Sequence, residues 1–172
     1  ETMNGYGVKK VVTACPHCFN SIKNEFPQFG GNYEVLHHTE MIDQLVKSGK
    51  IKVDPKVELV ANTTYHDSCY IGRYNDIYEA PREILEKTTG KQPVEMNRNK
   101  SKGFCCGAGG GRMFMEDNEG GRINIERSKE AIATGAETIA TACPFCMTMM
   151  TDGVKTLEKS DEVKVRDIAE IV

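Results

Sequence analysis

Short apolar runs alternate along the chain with segments in which hydrophobic residues recur every three or four positions. The runs predict buried strands and the recurring spacing predicts amphipathic helices. The predicted strands are Lys9–Ala14, Tyr33–Leu36, Val57–Tyr65, Gln92–Glu95, Thr138–Thr141 and Val163–Val165. The predicted helices are Phe19–Phe26, Thr39–Ser48, Ile77–Thr88, Arg122–Thr134, Phe145–Lys159 and Asp167–Val172. This alternation predicts an α/β fold with a mainly parallel sheet flanked by helices.

Residues that favour helix ends support these boundaries. Thr39 and Asp167 are suitable N-caps for the helices that follow them. Pro27 is expected to shorten the first helix. Glycines favour the left-handed conformation in which helices often end, and the expected stops are Gly49, Gly90 and Gly135.

An internal repeat indicates two related units. The segment Thr13–Cys18 (TACPHC) reappears as Thr141–Cys146 (TACPFC), 128 positions later. The same spacing aligns the apolar residues that follow: Phe19, Ile22, Phe26 and Phe29 with Met147, Met150, Val154 and Leu157. We therefore predict a duplicated unit. Residues 1–54 would be the C-terminal part of a first copy and 55–172 a complete second copy, with Gly49–Pro55 as the boundary.

The repeat also predicts a longer natural protein. Counterparts of Cys69 and Cys105 in the first unit would lie before Glu1, and the sequence does not begin with methionine. We expect the missing part of the first unit to precede this chain.

Composition narrows the class of protein. The 172 residues are 39% hydrophobic and 27% charged, which is typical of a globular protein. A net charge of −3 and the lack of a basic stripe argue against a nucleic-acid partner. No apolar run reaches the roughly 20 residues that span a bilayer, and no signal peptide is visible. We expect a cytoplasmic location.

The seven cysteines form three close pairs and one single residue. An odd number without a secretion signal is not typical of a disulfide scaffold. The adjacent pair Cys105–Cys106 is also a poor geometry for a structural disulfide. Clustered thiols in a reducing compartment favour binding of a soft metal.

Five cysteines are expected to meet at one place: Cys69, Cys105, Cys106, Cys143 and Cys146. Each group follows a predicted strand, and the carboxyl ends of parallel strands converge on one crevice. Cys146 is also expected near a helix N-terminus, where the dipole favours a thiolate.

A glycine-rich loop follows the cysteine pair. Its glycines allow close approach of the backbone, and they include Gly107, Gly109 and Gly110. If the cysteines hold an iron–sulfur cluster, backbone amides of this loop can face its sulfurs and influence its reduction potential. A phosphate-binding loop is the rival interpretation, but no Lys-Ser or Lys-Thr follows, and Arg112 replaces the last glycine of a dinucleotide fingerprint. A flexible turn is the simplest alternative.

The pattern Cys69…Cys105-Cys106-Gly107…Cys143-Pro144-Phe145-Cys146 resembles the cysteine-rich CCG domain family. That family includes the B subunit of heterodisulfide reductase and iron–sulfur subunits of glycolate, lactate and anaerobic glycerol-3-phosphate oxidation. The resemblance implies that all five cysteines hold a [4Fe-4S] cluster, which in the heterodisulfide reductase branch has a noncubane form. Cys15 and Cys18 are a possible second site, although their companions are absent.

Three longer segments are similar in sequence to membrane-anchored iron–sulfur oxidoreductases. These segments are VLHHTE at 35–40, YHDSCYIGR at 65–73 and FCCGAGGGR at 104–112. The resemblance implies electron transfer between electron-transfer flavoprotein and quinone, with ferredoxin-type clusters in an upstream segment. It also implies a position at the inner face of the membrane for the full-length protein.

Several residues near these motifs have two interpretations. His37 and His38 either shuttle protons near a quinone or make ordinary hydrogen bonds at a strand end. His66 and Asp67 either orient the Cys69 loop or, for Asp67, cap a helix. Arginines near the site either offset cluster charge or lie on solvated helix faces, and these are Arg112, Arg122 and Arg127. Neighbouring methionines either line a pocket or pack in the core, and these are Met147, Met149 and Met150.

Three functions compete. The first is an electron-transfer or disulfide-reducing segment of a larger oxidoreductase, in which this chain alone has no complete catalytic cycle. The second is a structural zinc module, which four thiolates suit well, although a fifth cysteine is then superfluous. The third is a docking domain whose cysteines oxidise reversibly.

Overall fold

The computed structural model describes residues 1–53, 62–115 and 121–172. Its strands form two short sheets in which every pairing is parallel. The first sheet pairs β1 (Lys10–Thr13) with β2 (Glu34–His37). The second has the order β3 (Thr63–Tyr65), β4 (Thr138–Thr141) and β5 (Lys164–Asp167).

Helical segments connect and cover the strands. The α-helices are α1 (Thr2–Gly5), α2 (Pro16–Asn20), α3 (His38–Lys47), α4 (Gly72–Asn75), α5 (Glu79–Thr89), α6 (Ile123–Ile132), α7 (Pro144–Thr156) and α8 (Ile168–Ile171). A π-helix at Ser21–Glu25 and a 3-10 helix at Phe26–Phe29 extend α2, and further 3-10 turns lie at Lys100–Lys102 and Gly109–Phe114. No helix in the described ranges is long and apolar enough to cross a bilayer.

The predicted fold class is confirmed: parallel sheets are flanked by helices. Two features differ in detail. The sheet is divided into two short ones, and the predicted strand Gln92–Glu95 is reduced to a single bridge between Val94 and Thr64. Of the predicted strand Val57–Tyr65, residues 57–61 lie outside the described residues, as does Pro55 of the expected boundary.

Opposite faces of β4 contact different helices because side chains alternate along a strand. Ile139 faces α6 and α7, where it packs with Ala131 and Met150. Ala140 faces α5 and α8. Both faces of the three-stranded sheet are therefore covered by helices. A site can form only where the strands end and their loops leave the sheet.

The N-cap predicted at Thr39 is wrong, whereas that at Asp167 is correct. α3 begins earlier, and the backbone N–H of Thr39 donates to His37 Nδ1 (3.4 Å) while His37 N–H donates to Glu40 Oε2 (3.0 Å). At α8 the Ala169 N–H donates to Asp167 Oδ1 (2.9 Å). An imidazole nitrogen accepts as a carboxylate oxygen does, so His37 takes the capping position.

Pro27 does not end the first helical segment. It lies in the first turn of the 3-10 helix, where its missing N–H leaves no hydrogen bond unmade. The segment ends at Gly30, whose φ of 80° no ordinary residue adopts readily. Gly90 ends α5 in the same way, as predicted.

The two halves of the chain have matching elements. β1 and β4 occupy positions 128 residues apart, and the left-handed residues Gly30 and Glu158 keep that spacing. From β2 and β5 onward the spacing is 130, so the second half has two more residues between Glu158 and β5. This correspondence supports the predicted duplication, which stays a prediction.

Candidate metal centre

The loops that carry the cysteines leave neighbouring strands at one edge of the sheet. β3 is followed by the loop to Cys69, and β4 by the loop to Cys143. β3 and β4 are paired in parallel, so both loops begin side by side. The bridge of Val94 to Thr64 places the segment leading to Cys105 next to them.

The structure brings together all five cysteines that the sequence predicted to meet. Their thiols interact in a continuous chain that runs Cys69, Cys105, Cys106, Cys146 and Cys143. None of them forms a disulfide; the last three are buried and the first two are partly exposed. That these thiols hold a metal stays a prediction.

Thiol acidity is uneven at one end of this chain of sulfurs. Hydrogen bonds from Cys106 and Cys69, with the Gly107 N–H (3.3 Å from Cys105 Sγ), lower the pKa of Cys105. Donating these hydrogen bonds to Cys105 raises the pKa of each donor. The pKa of Cys69 is raised, and that of Cys106 is raised to about 12. Cys105 is therefore the thiolate that its two neighbours stabilise.

At the other end, the start of α7 favours Cys143 over Cys146. Cys143 is the N-cap, and its pKa is lowered to about 7 by the Cys146 thiol and by the backbone N–H groups of Cys146 and Phe145. The hydrogen bonds to Cys106 and Cys143, followed by burial, raise the pKa of Cys146. The expectation that the helix N-terminus favours a Cys146 thiolate is corrected: the effect falls on the capping residue.

Gly107 is the glycine of the loop that contacts the cysteines. Its φ is 91°, and a Cβ there would lie 3.0 Å from Cβ of Ile123. Gly109 and Gly110 are exposed and lie in the 3-10 turn, Gly110 with a φ of 65°. Their predicted role around a cluster remains a prediction.

The buried side of the site is apolar. Ala108, Met113 and Met149 pack against the buried thiols, while Met150 packs in the core. The Ser68 hydroxyl, which the sequence analysis did not single out, helps to lower the pKa of Cys143. Only its position beside Cys69 in the sequence signals a role.

His66 lies at the edge of the thiol cluster. Its nearest ring nitrogen and the sulfurs of Cys106 and Cys146 all lie within 4.8 Å of one another. Arg127 Nε donates to His66 Nδ1 at 3.0 Å. Burial, followed by the charge of Arg127, lowers the pKa of His66 to about 3, so the ring is neutral at physiological pH.

Asp67 holds two loops together and is not a helix cap. Its carboxylate accepts two hydrogen bonds from Arg82 (both 2.9 Å) and one from the Lys100 N–H (2.7 Å). Arg82 also donates to Glu95. Asp67 therefore fixes the loop before Cys69 to the segment before Cys105, and the N-cap of α4 is Ile71.

Arg127 is not on a solvated helix face, as the simpler interpretation held. It is fully buried on the face of α6 that also carries Asn124 and Ala131. This spacing of three and four residues, which favours a shared buried face, was visible in the sequence. The positive charge of Arg127 nevertheless favoured the interpretation of a solvated position. Arg122, in contrast, is partly exposed, and its Nη1 lies 3.5 Å from Oδ2 of Asp152.

Cys15 and Cys18 interact with each other, and among the described residues no third candidate ligand joins them. Hydrogen bonding to Cys15 raises the pKa of the exposed Cys18. The His17 ring between them contacts Tyr70 (4.3 Å between centroids) and Phe145 (5.8 Å). This motif therefore faces the loops of the five-thiol cluster.

His37 and His38 make ordinary hydrogen bonds, as the simpler interpretation predicted. His37 Nδ1 is 2.8 Å from Thr39 Oγ1, and burial lowers the pKa of His37 to about 3. His38 Nε2 is 2.9 Å from Asp167 Oδ1.

Known proteins match most or all of this chain. A probable iron–sulfur-binding oxidoreductase (FadF) of Bacillus subtilis is 50% identical over 96% of this chain and 23% of its own length. The EtfAB:quinone oxidoreductase of Syntrophomonas wolfei is 47% identical over 100% of this chain and 25% of its own length. One subunit of the dihydromethanophenazine:CoB–CoM heterodisulfide reductase of Methanosarcina barkeri is 38% identical over 100% of this chain and 42% of its own.

The chain thus spans about a quarter of the first two relatives. The sequence profile of the CCG cysteine-rich domain matches residues 63–151, which contain all five clustered cysteines and the loops that carry them. This chain belongs to the CCG cysteine-rich domain family.

Proposed function

We propose that this chain is the iron–sulfur electron-transfer segment of a larger oxidoreductase. The observation that carries the proposal is the meeting of five free thiols from three loops at one sheet edge. The names of its relatives, which include an iron–sulfur-binding oxidoreductase and a heterodisulfide reductase component, support it.

The donor set fits an iron–sulfur cluster. Thiolates are the usual ligands of such clusters, and their backbone hydrogen bonds help to set the potential. Cys69, Cys105, Cys106, Cys143 and Cys146 would be the ligands, and a bound cluster would accept and release single electrons. The Gly107 N–H already donates to one of these sulfurs, and we propose that Gly109 and Gly110 complete the loop around the cluster.

Five cysteines favour a [4Fe-4S] cluster of noncubane form, since an ordinary cubane needs only four thiolates. Partial exposure of Cys69 and Cys105 leaves one side of the site open to a redox partner, whereas the other three sulfurs are enclosed. Electrons would enter or leave on the open side.

We assign residues 1–54 to the end of a first CCG unit and 55–172 to a complete second unit. Cys15 and Cys18 would then be the counterparts of Cys143 and Cys146 and would belong to a second site. The placement of Cys15 as the N-cap of α2, as Cys143 is of α7, supports this assignment.

The relatives suggest partners for the whole protein. One is named as an oxidoreductase between EtfAB and quinone, another as a probable membrane-anchored ferredoxin from Chromohalobacter salexigens. We propose that the full-length protein works at the cytoplasmic face of a membrane. Its own ferredoxin-type clusters would pass electrons between this site and a flavoprotein, a quinone or a disulfide.

A zinc site is the second candidate, because the buried sulfurs of Cys106 and Cys146 lie within 4.8 Å of each other and two of the three neighbouring thiols, at Cys69, Cys105 and Cys143, would complete four ligands. Such a compact group suits tetrahedral zinc. It would make this part of the protein a structural module.

Metal analysis separates the two candidates. Iron, acid-labile sulfide and zinc are measured in chain purified without oxygen, with an EPR spectrum of the same sample. The proposal predicts iron and sulfide in equal amounts, lost in Cys106→Ser and retained in the control Cys18→Ser. Zinc without iron, even after anaerobic reconstitution, would contradict electron transfer and favour the structural module.

A further inference from the structure

We infer that His66 is held with its proton on Nε2 and donates that N–H to sulfur at the five-cysteine site, and that Arg127 is the positioning residue that selects this tautomer. The inference deepens the proposed function, on which its redox consequence rests. It assigns a role to two buried side chains that are not among the cysteine ligands.

The position of His66 is fixed by the sheet. It follows β3 directly, and its backbone N–H donates to the Ala140 carbonyl at 2.9 Å. The side chain is 1% exposed, and a ring nitrogen lies within 4.8 Å of the sulfurs of Cys106 and Cys146. The buried ring therefore lies within reach of both the Arg127 side chain and the two thiols.

Arg127 determines which ring nitrogen carries the proton. A guanidinium group has donors and no acceptor, so the nitrogen that receives its hydrogen bond must bear a lone pair. Arg127 Nε is 3.0 Å from His66 Nδ1, which leaves the proton of the neutral ring on Nε2. The Arg127 side chain is itself fixed by the Arg98 carbonyl (2.9 Å) and Glu130 (2.8 Å).

This arrangement is the reverse of a metal-binding histidine. A histidine that ligates through one nitrogen usually donates the proton of the other to a carboxylate or carbonyl. Here the outer nitrogen accepts from a cation, so ligation through Nε2 would require an unprotonated anionic ring. The compact group of His66, Cys106 and Cys146 is therefore two sulfur ligands and one N–H donor.

An N–H donor to sulfur changes the redox chemistry of a cluster. Hydrogen bonds to the sulfurs stabilise the more negative, reduced state, and this raises the reduction potential. The guanidinium of Arg127 is completely buried and paired with Glu130 at 2.8 Å, so the expected change in potential rests on the His66 N–H donor.

Pulsed EPR on the reduced, iron-loaded chain with ¹⁵N-labelled histidine tests the inference in the wild-type protein. The expected result is one weakly coupled histidine nitrogen, the signature of an N–H···S contact, which disappears in His66→Leu and persists in the control His38→Gln. A strongly coupled nitrogen would make His66 a ligand and overturn the inference, as would the absence of any coupling.

Potentials of variants provide a second readout. His66→Leu should shift the midpoint potential to a more negative value, and His66→Gln, which keeps an N–H donor, should restore part of the shift. An unchanged potential in His66→Leu with the cluster intact would count against the donor role.

The tautomer can be measured without iron, so failure of the proposed function is distinguishable. Long-range ¹H–¹⁵N correlation of the reduced, metal-free chain should show the Nε2–H form for the histidine resonance that His66→Gln removes. The Nδ1–H form would overturn the inference, whatever metal the site binds. A chain that shows Nε2–H yet takes up no iron would refute only the proposed function.

Discussion

The two cysteines of the motif Cys143–Cys146 differ in acidity although they belong to one turn of helix. Cys143 precedes the helix, and its pKa is lowered to about 7 by the Cys146 thiol and then by the first backbone N–H groups of the helix. Cys146 lies inside the first turn, fully enclosed, and its pKa is raised. Acidity at this site thus depends on the hydrogen bonds between the thiols as well as on the position relative to the helix start, and metal binding would release the protons of the less acidic thiols.

The ion pair of Asp67 and Arg82 stabilises the loops that carry the site. Both side chains are 4% exposed, and removing the cation would leave a buried carboxylate without its partner. We expect Arg82→Met to lower the free energy of unfolding by about 3–5 kcal/mol. Denaturant unfolding of the metal-free chain measures this change.

Arg122→Met is the matched control for this prediction. Arg122 and Asp152 are 43% and 49% exposed and lie 3.5 Å apart. An exposed pair of this kind contributes at most about 1 kcal/mol. Equal losses in the two variants would show that the buried pair does not hold the loops.

Which residues would meet was predictable from the sequence, but their local environment was not. The five cysteines follow predicted strands, and parallel strand ends must share an edge. The burial of Arg127 depends on contacts with His66 and the Arg98 carbonyl, which are distant in sequence. A charged residue in a helix usually indicates a position exposed to solvent. Only the tertiary structure shows the hydrogen-bond partners that allow Arg127 to be buried.

At the scale of elements, Gly107 is the position where the loop between Cys106 and α6 permits no side chain. The φ of 91° is strained for any residue with a Cβ, and that atom would meet Ile123 at 3.0 Å. We expect Gly107→Ala to destabilise the fold by more than about 1–2 kcal/mol, the conformational cost alone. Unfolding free energy and iron uptake after anaerobic reconstitution should both decrease.

Gly109→Ala provides the comparison in the same loop. Gly109 has a φ outside the left-handed region, and nothing lies within 4 Å of a Cβ placed there. This variant should fold and take up iron as the wild type does. If Gly107→Ala also behaves as wild type, close approach of this loop is not needed for the site.

Element boundaries were predictable where the local signal was strong. β4 has the predicted bounds Thr138–Thr141, and Gly90 ends α5. The cap at Thr39 was wrong because threonine is a common capping residue, whereas the side chain of His37 took that place through contacts within its own turn. Two additional residues after Glu158 also shift the second half relative to the first, and this change of spacing was not apparent from the repeat.

At the scale of the whole molecule, helices of the first half pack directly on the second. α3 contacts α5 and α8, and His38 of α3 is 2.9 Å from the Asp167 cap of α8. The loops of both CxxC motifs also meet, through His17 and Phe145. These contacts form one continuous structure around the sheet edge that carries the five thiols.

We propose that five cysteines, and not the other two, hold one [4Fe-4S] cluster. Native mass spectrometry of the chain reconstituted without oxygen tests it most directly, with single serine variants of all seven cysteines. We expect a wild-type mass that includes four irons and four sulfides. This added mass should be lost or reduced in the variants of Cys69, Cys105, Cys106, Cys143 and Cys146, and unchanged in those of Cys15 and Cys18. A wild-type chain that carries only zinc, or loss of the cluster in the Cys15 and Cys18 variants, would contradict it.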